Sequence, residues 1–105
     1  PEYDIELYTH KKMKTDAAIS LKALKLALPV LSALTDFGEE PLKECLMNLA
    51  AAEGMKNGQI MWPVRVAISG LANTPGGATE IAYLLGKPET LRRLEAGIAK
   101  LESAT

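Results

Sequence analysis

Apolar positions recur every three to four residues along most of the chain, and these stretches predict helices. After Asp16, Leu21, Leu24, Leu28 and Leu31 fall on one face. Ile19, Ala23, Leu26 and Val30 widen it, so this helix is expected to be covered on two sides. Thr15 or Asp16 supplies its N-cap, and Pro29 predicts a kink or a split into two pieces. Glu39-Glu40-Pro41 opens a second helix, with acids at its positive end and proline in its first turn. Leu42, Cys45, Leu46, Leu49 and Ala50 form its buried stripe, and Gly54 closes it. Met55 to Gly58 reads as a loop. Lys87-Pro88-Glu89 starts a last helix with Leu91, Leu94, Ile98 and Leu101 on its apolar face. Ser103-Ala104-Thr105 is expected to be disordered. At the other end, Tyr3, Ile5, Leu7 and Tyr8 predict a lead-in helix or an extended tail that frays.

The remaining stretch, residues 58–86, predicts two short helices and a tight connection. Pro63, directly after the single Trp62, suits a first helical position, because its missing N–H costs nothing there. Val64, Ala67 and Ile68 share a face, and Gly70 stops the helix. Thr74, followed by Pro75, reads as the N-cap of the next helix, which is expected to bury Ile81, Leu84 and Leu85 and end at Gly86. Trp62 is expected to anchor the core. The connection presents backbone donors at a helix N-terminus, with Arg65 one turn earlier; such a place suits a phosphate or a base edge. No segment alternates with a two-residue period, so the fold class is all-α: a multi-helix cage of about five to six short helices.

Composition narrows the function. One hundred and five residues with 48% hydrophobic content support one small core, and 5% aromatic content with abundant Ala and Leu favours helices. The net charge of −1 means that any anionic partner must be met by a local patch. The single cysteine, Cys45, permits no internal disulfide, and its leucine neighbours predict a buried thiol in a reducing, cytoplasmic setting. No run is apolar enough to span a membrane, so no membrane contact is expected. The chain starts at Pro1, which suggests a fragment of a larger protein.

Catalytic chemistry finds no support. His10 is the only histidine and is expected to be solvated or loosely packed, so neither a nucleophilic triad nor a metal site can be assembled. Gly76-Gly77 lacks the Lys-Ser/Thr of a phosphate-cradling loop. Lys12-Met13-Lys14 lacks the Ser-Lys-Ser continuation of the class I synthetase loop that it partly resembles. The acid pairs Glu39-Glu40 and Glu80 with Glu89 are explained as helix-start residues. The basic run His10-Lys11-Lys12-Met13-Lys14 admits two readings, a phosphate-contacting patch or a solvated helix end, and the second is favoured. Neither a metal nor a cofactor is expected in this chain.

A resemblance then adds what spacing does not. Trp62 to Gly70, Thr74-Pro75-Gly76-Gly77 and Glu80 to Lys87, together with Tyr3 to Thr15, resemble the C-terminal anticodon-binding region of bacterial glutamyl-tRNA synthetases over nearly the whole chain. It implies that residues 1–15 are the tail of a preceding helical domain and that 16–105 are the anticodon-binding domain. It implies RNA contacts from Arg65, Thr74, Pro75, Gly76 and Gly77, with Gly77 standing where some relatives carry a larger apolar residue. Lys56, Lys87, Arg92 and Arg93 are secondary candidates for phosphates. The implied partners are the anticodon arm of tRNA(Glu) and the remaining domains of the parent synthetase, whose catalytic domain uses ATP and Mg²⁺. The alternative is a helical protein-interaction domain or a helix-turn-helix over residues 63–86. DNA is not expected as a partner, since Ala78 to Leu85 offers only Glu80 as a charged group where a recognition helix displays several polar ones.

Overall fold

Asp16 starts the main helical array: its Oδ1 accepts from the Ile19 N–H at 2.8 Å and caps α1, Ala17–Ala33. In the computed structural model, which describes residues 3–71, 74 and 76–104, four more α-helices follow. These are α2 (Glu39–Ala52), α3 (Asn57–Ser69), α4 (Ala78–Leu85) and α5 (Lys87–Ala104). A 3₁₀ turn at Ile5–Tyr8 precedes them, and no strand occurs among the described residues. The all-α expectation therefore holds.

Pro29 does not split α1. It lies on the exposed face, as does Lys25, the residue whose carbonyl loses its helical N–H donor to the proline. Ala23, Leu24, Ala27 and Leu31 face inward. Leu42, Leu46, Leu49 and Ala50 do the same on α2, while Cys45 is half-buried at the stripe's edge rather than inside it.

Pro63 is in the middle of α3 rather than at its start. An interior proline costs about 3 kcal/mol. Starting the helix at Asn57 puts Ile60 and Trp62 on the same buried surface as Val64, Ala67 and Ile68. Burial of two large side chains at about 1.5–3 kcal/mol each offsets that cost. Asn57 and Gly58 are consequently helical, and the loop expected there is shorter. Gly70 ends α3 at φ +69°, a conformation that favours glycine.

The chain ends also differ from expectation. The lead-in packs on the same core as the rest: Tyr8 is fully buried, and its carbonyl accepts from Thr15 Oγ1 at 2.6 Å. Ser103 and Ala104 extend α5 instead of fraying. α3 is the hub, since it packs against the other four helices and the 3₁₀ turn.

Candidate nucleic-acid interface

Trp62 fixes the site. It is 9% exposed, and its Nε1–H donates to the Leu7 carbonyl at 2.8 Å, which binds α3 to the lead-in. The core role expected for it is the one it has. Its ring packs against two polar side chains. The Arg65 guanidinium carbon lies 4.7 Å from a ring centroid, and the His10 imidazole packs at 4.3 Å with a 58° tilt. His10 is therefore not merely solvated, and its Nδ1 also accepts from the Met13 N–H at 3.2 Å.

Beside this stack lies a pocket of about 330 Å³, lined by Met13, Gly58, Met61, Trp62, Arg65, Gly77 and Ala78. Arg65 and Gly77, linked in sequence as a helix turn and the connection that follows it, meet in one cavity. The wall is apolar apart from the arginine. Gly58 makes room for the neighbouring loop: a Cβ there would approach Met13 Sδ to 2.7 Å. Met13, Gly58 and Met61 do not stand out in the sequence. The only signal there is a glycine tolerated in a helix, which calls for a packing reason.

Gly77, not Thr74, is the N-cap of α4, and it makes no side-chain cap bond. The Thr74 hydroxyl instead donates to the Gly76 carbonyl two residues on, within the turn. Pro75 lies outside the described residues. A Cβ on Gly76 would meet the Glu80 carboxylate at 2.9 Å, whereas a Cβ on Gly77 would meet nothing within 4 Å. The backbone at Gly77 is thus open to a side chain. Leu84, expected inside, is 81% exposed, because α4 turns the small side chains of Ala78 and Ala82 to the core and approaches closely. Ile81 and Leu85 pack at the edges.

None of Lys56, Lys87, Arg92 and Arg93 lines this pocket. Lys56 adjoins Lys14 at the N-terminal end of α3. Lys87 Nζ donates to the Leu34 carbonyl at 2.8 Å and so closes the C-terminal end of α1. Arg92 and Arg93 both bind Glu89, and Arg93 Nη1 also donates to the Ile68 carbonyl at 2.6 Å, at the end of α3. Hydrogen bonds from Arg92 and then Arg93 hold the Glu89 pKa below the usual carboxylate range. Among the described residues no cluster of three metal-ligating side chains occurs, and no helix is long and apolar enough to cross a membrane.

Comparison with known proteins agrees with this arrangement. The family model of the anticodon-binding domain matches residues 1–98. The glutamate–tRNA ligase of Clostridium acetobutylicum is 51% identical over 102 residues, covering 97% of this chain and 21% of that protein. That of Lachnoclostridium phytofermentans is 53% identical over 104 residues, covering 99% of this chain and again 21% of the relative. The chain thus spans about a fifth of the length of these relatives. The crystal structure of a glutamate tRNA ligase from Elizabethkingia meningosepticum, in complex with its amino acid, superposes with a TM-score of 0.78 at 29% identity, covering 96% of this chain and 19% of that one. A family match over this length, on an all-helical fold with an arginine-lined pocket beside a glycine turn, places the chain in the anticodon-binding domain family.

Proposed function

We propose that the chain is the anticodon-reading module of a cytoplasmic glutamate–tRNA ligase, and that it takes the anticodon arm of tRNA(Glu) in the Arg65 pocket. The observation that carries this reading is the convergence of Arg65, held against Trp62, with Gly77 and Ala78 in one apolar cavity. Loop bases are read by splaying them out, stacking them and hydrogen-bonding their edges. Met13, Met61 and Ala78 offer an apolar surface to a base, and Arg65 offers a planar donor fork to its edge. The Glu80 carboxylate beside Gly76 disfavours a phosphate at the turn and favours a base edge that can donate to it. The module positions tRNA. Glutamylation, with ATP and Mg²⁺, belongs to the catalytic domain of the parent protein.

The DNA-binding alternative loses ground, since α4 shows solvent only Glu80 and the apolar Tyr83 and Leu84 around its outer face. Those two exposed side chains suit a contact with the remaining domains of the parent synthetase.

The test is fluorescence anisotropy with a labelled glutamate anticodon stem-loop and a version with the middle base changed. The wild type should prefer the correct loop. Arg65→Ala should remove the preference, at a loss of about 1–3 kcal/mol for one specific base contact. Equal binding of both loops by the wild type would refute the reading.

A further inference from the structure

The basic run His10 to Lys14 contributes only Met13 to the pocket, yet it has a definite shape. His10 and Thr15 exchange backbone hydrogen bonds at 3.1 Å in both directions, and the Lys14 N–H donates to the Lys11 carbonyl at 3.2 Å. The run is a tight loop, not the helix end expected from its charges. Lys14 takes φ +57° within it, a left-handed conformation uncommon for a residue with a side chain. Besides the His10–Trp62 and Met13–Gly58 contacts, one amide of α3 fastens the loop. Gln59 Nε2 donates to the Lys14 carbonyl at 3.1 Å, and Gln59 Oε1 accepts from the Lys56 N–H at 2.9 Å.

One amide thus brackets the backbones of Lys14 and Lys56, which are far apart in sequence. Their side chains meet as well. Hydrogen-bonding contact with Lys14, and then its charge, push the Lys56 pKa down. Lys11 and Lys12 are exposed on the same loop. The salt bridges seen among the described residues lie elsewhere, at Lys25–Glu102 and around Glu89. Like charges held together by a scaffold repel, and a polyanion removes that repulsion.

We infer that Lys14 and Lys56, with Lys11 and Lys12 beside them, seat neighbouring backbone phosphates of the RNA strand whose base occupies the Arg65 pocket. This rests on the anticodon reading above. Continuity comes from Met13, which precedes Lys14, lines the pocket and lies against Gly58, two residues after Lys56. Exposed lysines spread over this loop and the start of α3 suit a strand of phosphates better than one enclosed ion, because each is a separate point charge. Such contacts set register and affinity without reading sequence.

The test is the salt dependence of anticodon stem-loop binding by the whole chain, comparing wild type with Lys14→Ala/Lys56→Ala and with the charge-conserving Lys14→Arg/Lys56→Arg. The alanine pair should lower affinity by the same factor for correct and altered loops. It should reduce the slope of log K against log salt by about 0.7–0.9 for each phosphate that no longer meets a lysine. The arginine pair should keep the wild-type slope, which separates charge from folding. An alanine pair with affinity within twofold of wild type and an unchanged slope would overturn the seat. So would loss of base preference without a change in slope. Replacing chloride by inorganic phosphate at equal ionic strength should displace RNA no better. If phosphate displaces it selectively, and the alanine pair abolishes the difference, the site holds a free ion and the backbone assignment fails. Arg65→Ala, run in parallel, keeps the two ideas apart. An altered slope without any base preference in the wild type retains the seat and sinks the reading; preference lost in Arg65→Ala with unaltered slopes in the lysine variants does the reverse.

Discussion

Arg65 draws its usefulness from Trp62. A guanidinium laid on an indole gains roughly 0.5–2 kcal/mol of cation–π attraction and loses much of its freedom before any ligand arrives. Lysine would keep the charge but lose the plane and the fork, so charge alone does not define this position. Gly97 shows the opposite use of a single residue, as empty space. It lies inside α5, where a Cβ would meet Tyr8 Oη at 2.9 Å, Ala67 Cβ at 3.1 Å and Leu24 Cδ1 at 3.2 Å. Gly97→Ala gains about 1 kcal/mol in helix propensity, but overpacking costs about 1–3 kcal/mol. A net loss of up to about 2 kcal/mol is expected in chemical denaturation; a gain would show that the packing there is soft. Individual residues of this kind differ in legibility. Asp16, Gly70 and Trp62 announce themselves, since capping, left-handed backbone and aromatic burial are local rules. The Lys14–Lys56 pairing, the Met13–Gly58 contact and the His10–Trp62 stack depend on long-range packing, which a single chain of letters does not encode.

Among the elements, α4 departs furthest from its sequence pattern. Ala78, Ile81, Ala82, Tyr83, Leu84 and Leu85 leave it apolar nearly all round, so periodicity alone does not select a face. Packing selects the alanines and leaves Tyr83 and Leu84 outside. The start of α3 is misread for a related reason: Pro63 looks like a helix opening until the burial of Ile60 and Trp62 is counted. At the first turn of α5, Glu89 gathers Arg92 and Arg93 and also faces the positive end of the helix. Its folded pKa is depressed, so its contribution is present above the ordinary glutamate value of about 4.3 and is lost as pH falls through the folded value. Thermal melting of the wild type and Glu89→Gln should therefore differ at neutral pH, with the variant lower, and converge on acidification below about pH 4. Parallel curves across that range would show that the carboxylate adds nothing. Salt should narrow the neutral-pH difference, because Arg92 is largely exposed.

The whole molecule is a frame built around one helix, α3, against which the other four pack. Its radius of gyration of 12.1 Å is near the roughly 13 Å expected for a folded domain of this length. α3 carries that frame and also supplies the pocket residues Gly58, Met61, Trp62 and Arg65, with Trp62 shared between core and pocket. The fold class and the neighbourhood of the site follow from periodicity and turn residues. Which side chains close the pocket does not, because the lead-in loop that supplies Met13 reaches it only through tertiary packing. The central claim, that RNA enters beside Trp62 and Arg65, is tested most directly by nuclear magnetic resonance of the ¹⁵N-labelled chain titrated with the glutamate anticodon stem-loop. The Trp62 indole N–H, which already has its own hydrogen bond to Leu7, gives a single well-separated signal at the site. The account predicts that this signal and the amides of Gly58, Arg65, Gly77 and Ala78 move together and saturate with one affinity. Shifts confined to the groove of Val30, Leu34 and Cys45, or to the cavity of Tyr3, Arg93 and Lys100, with Trp62 unmoved, would contradict it.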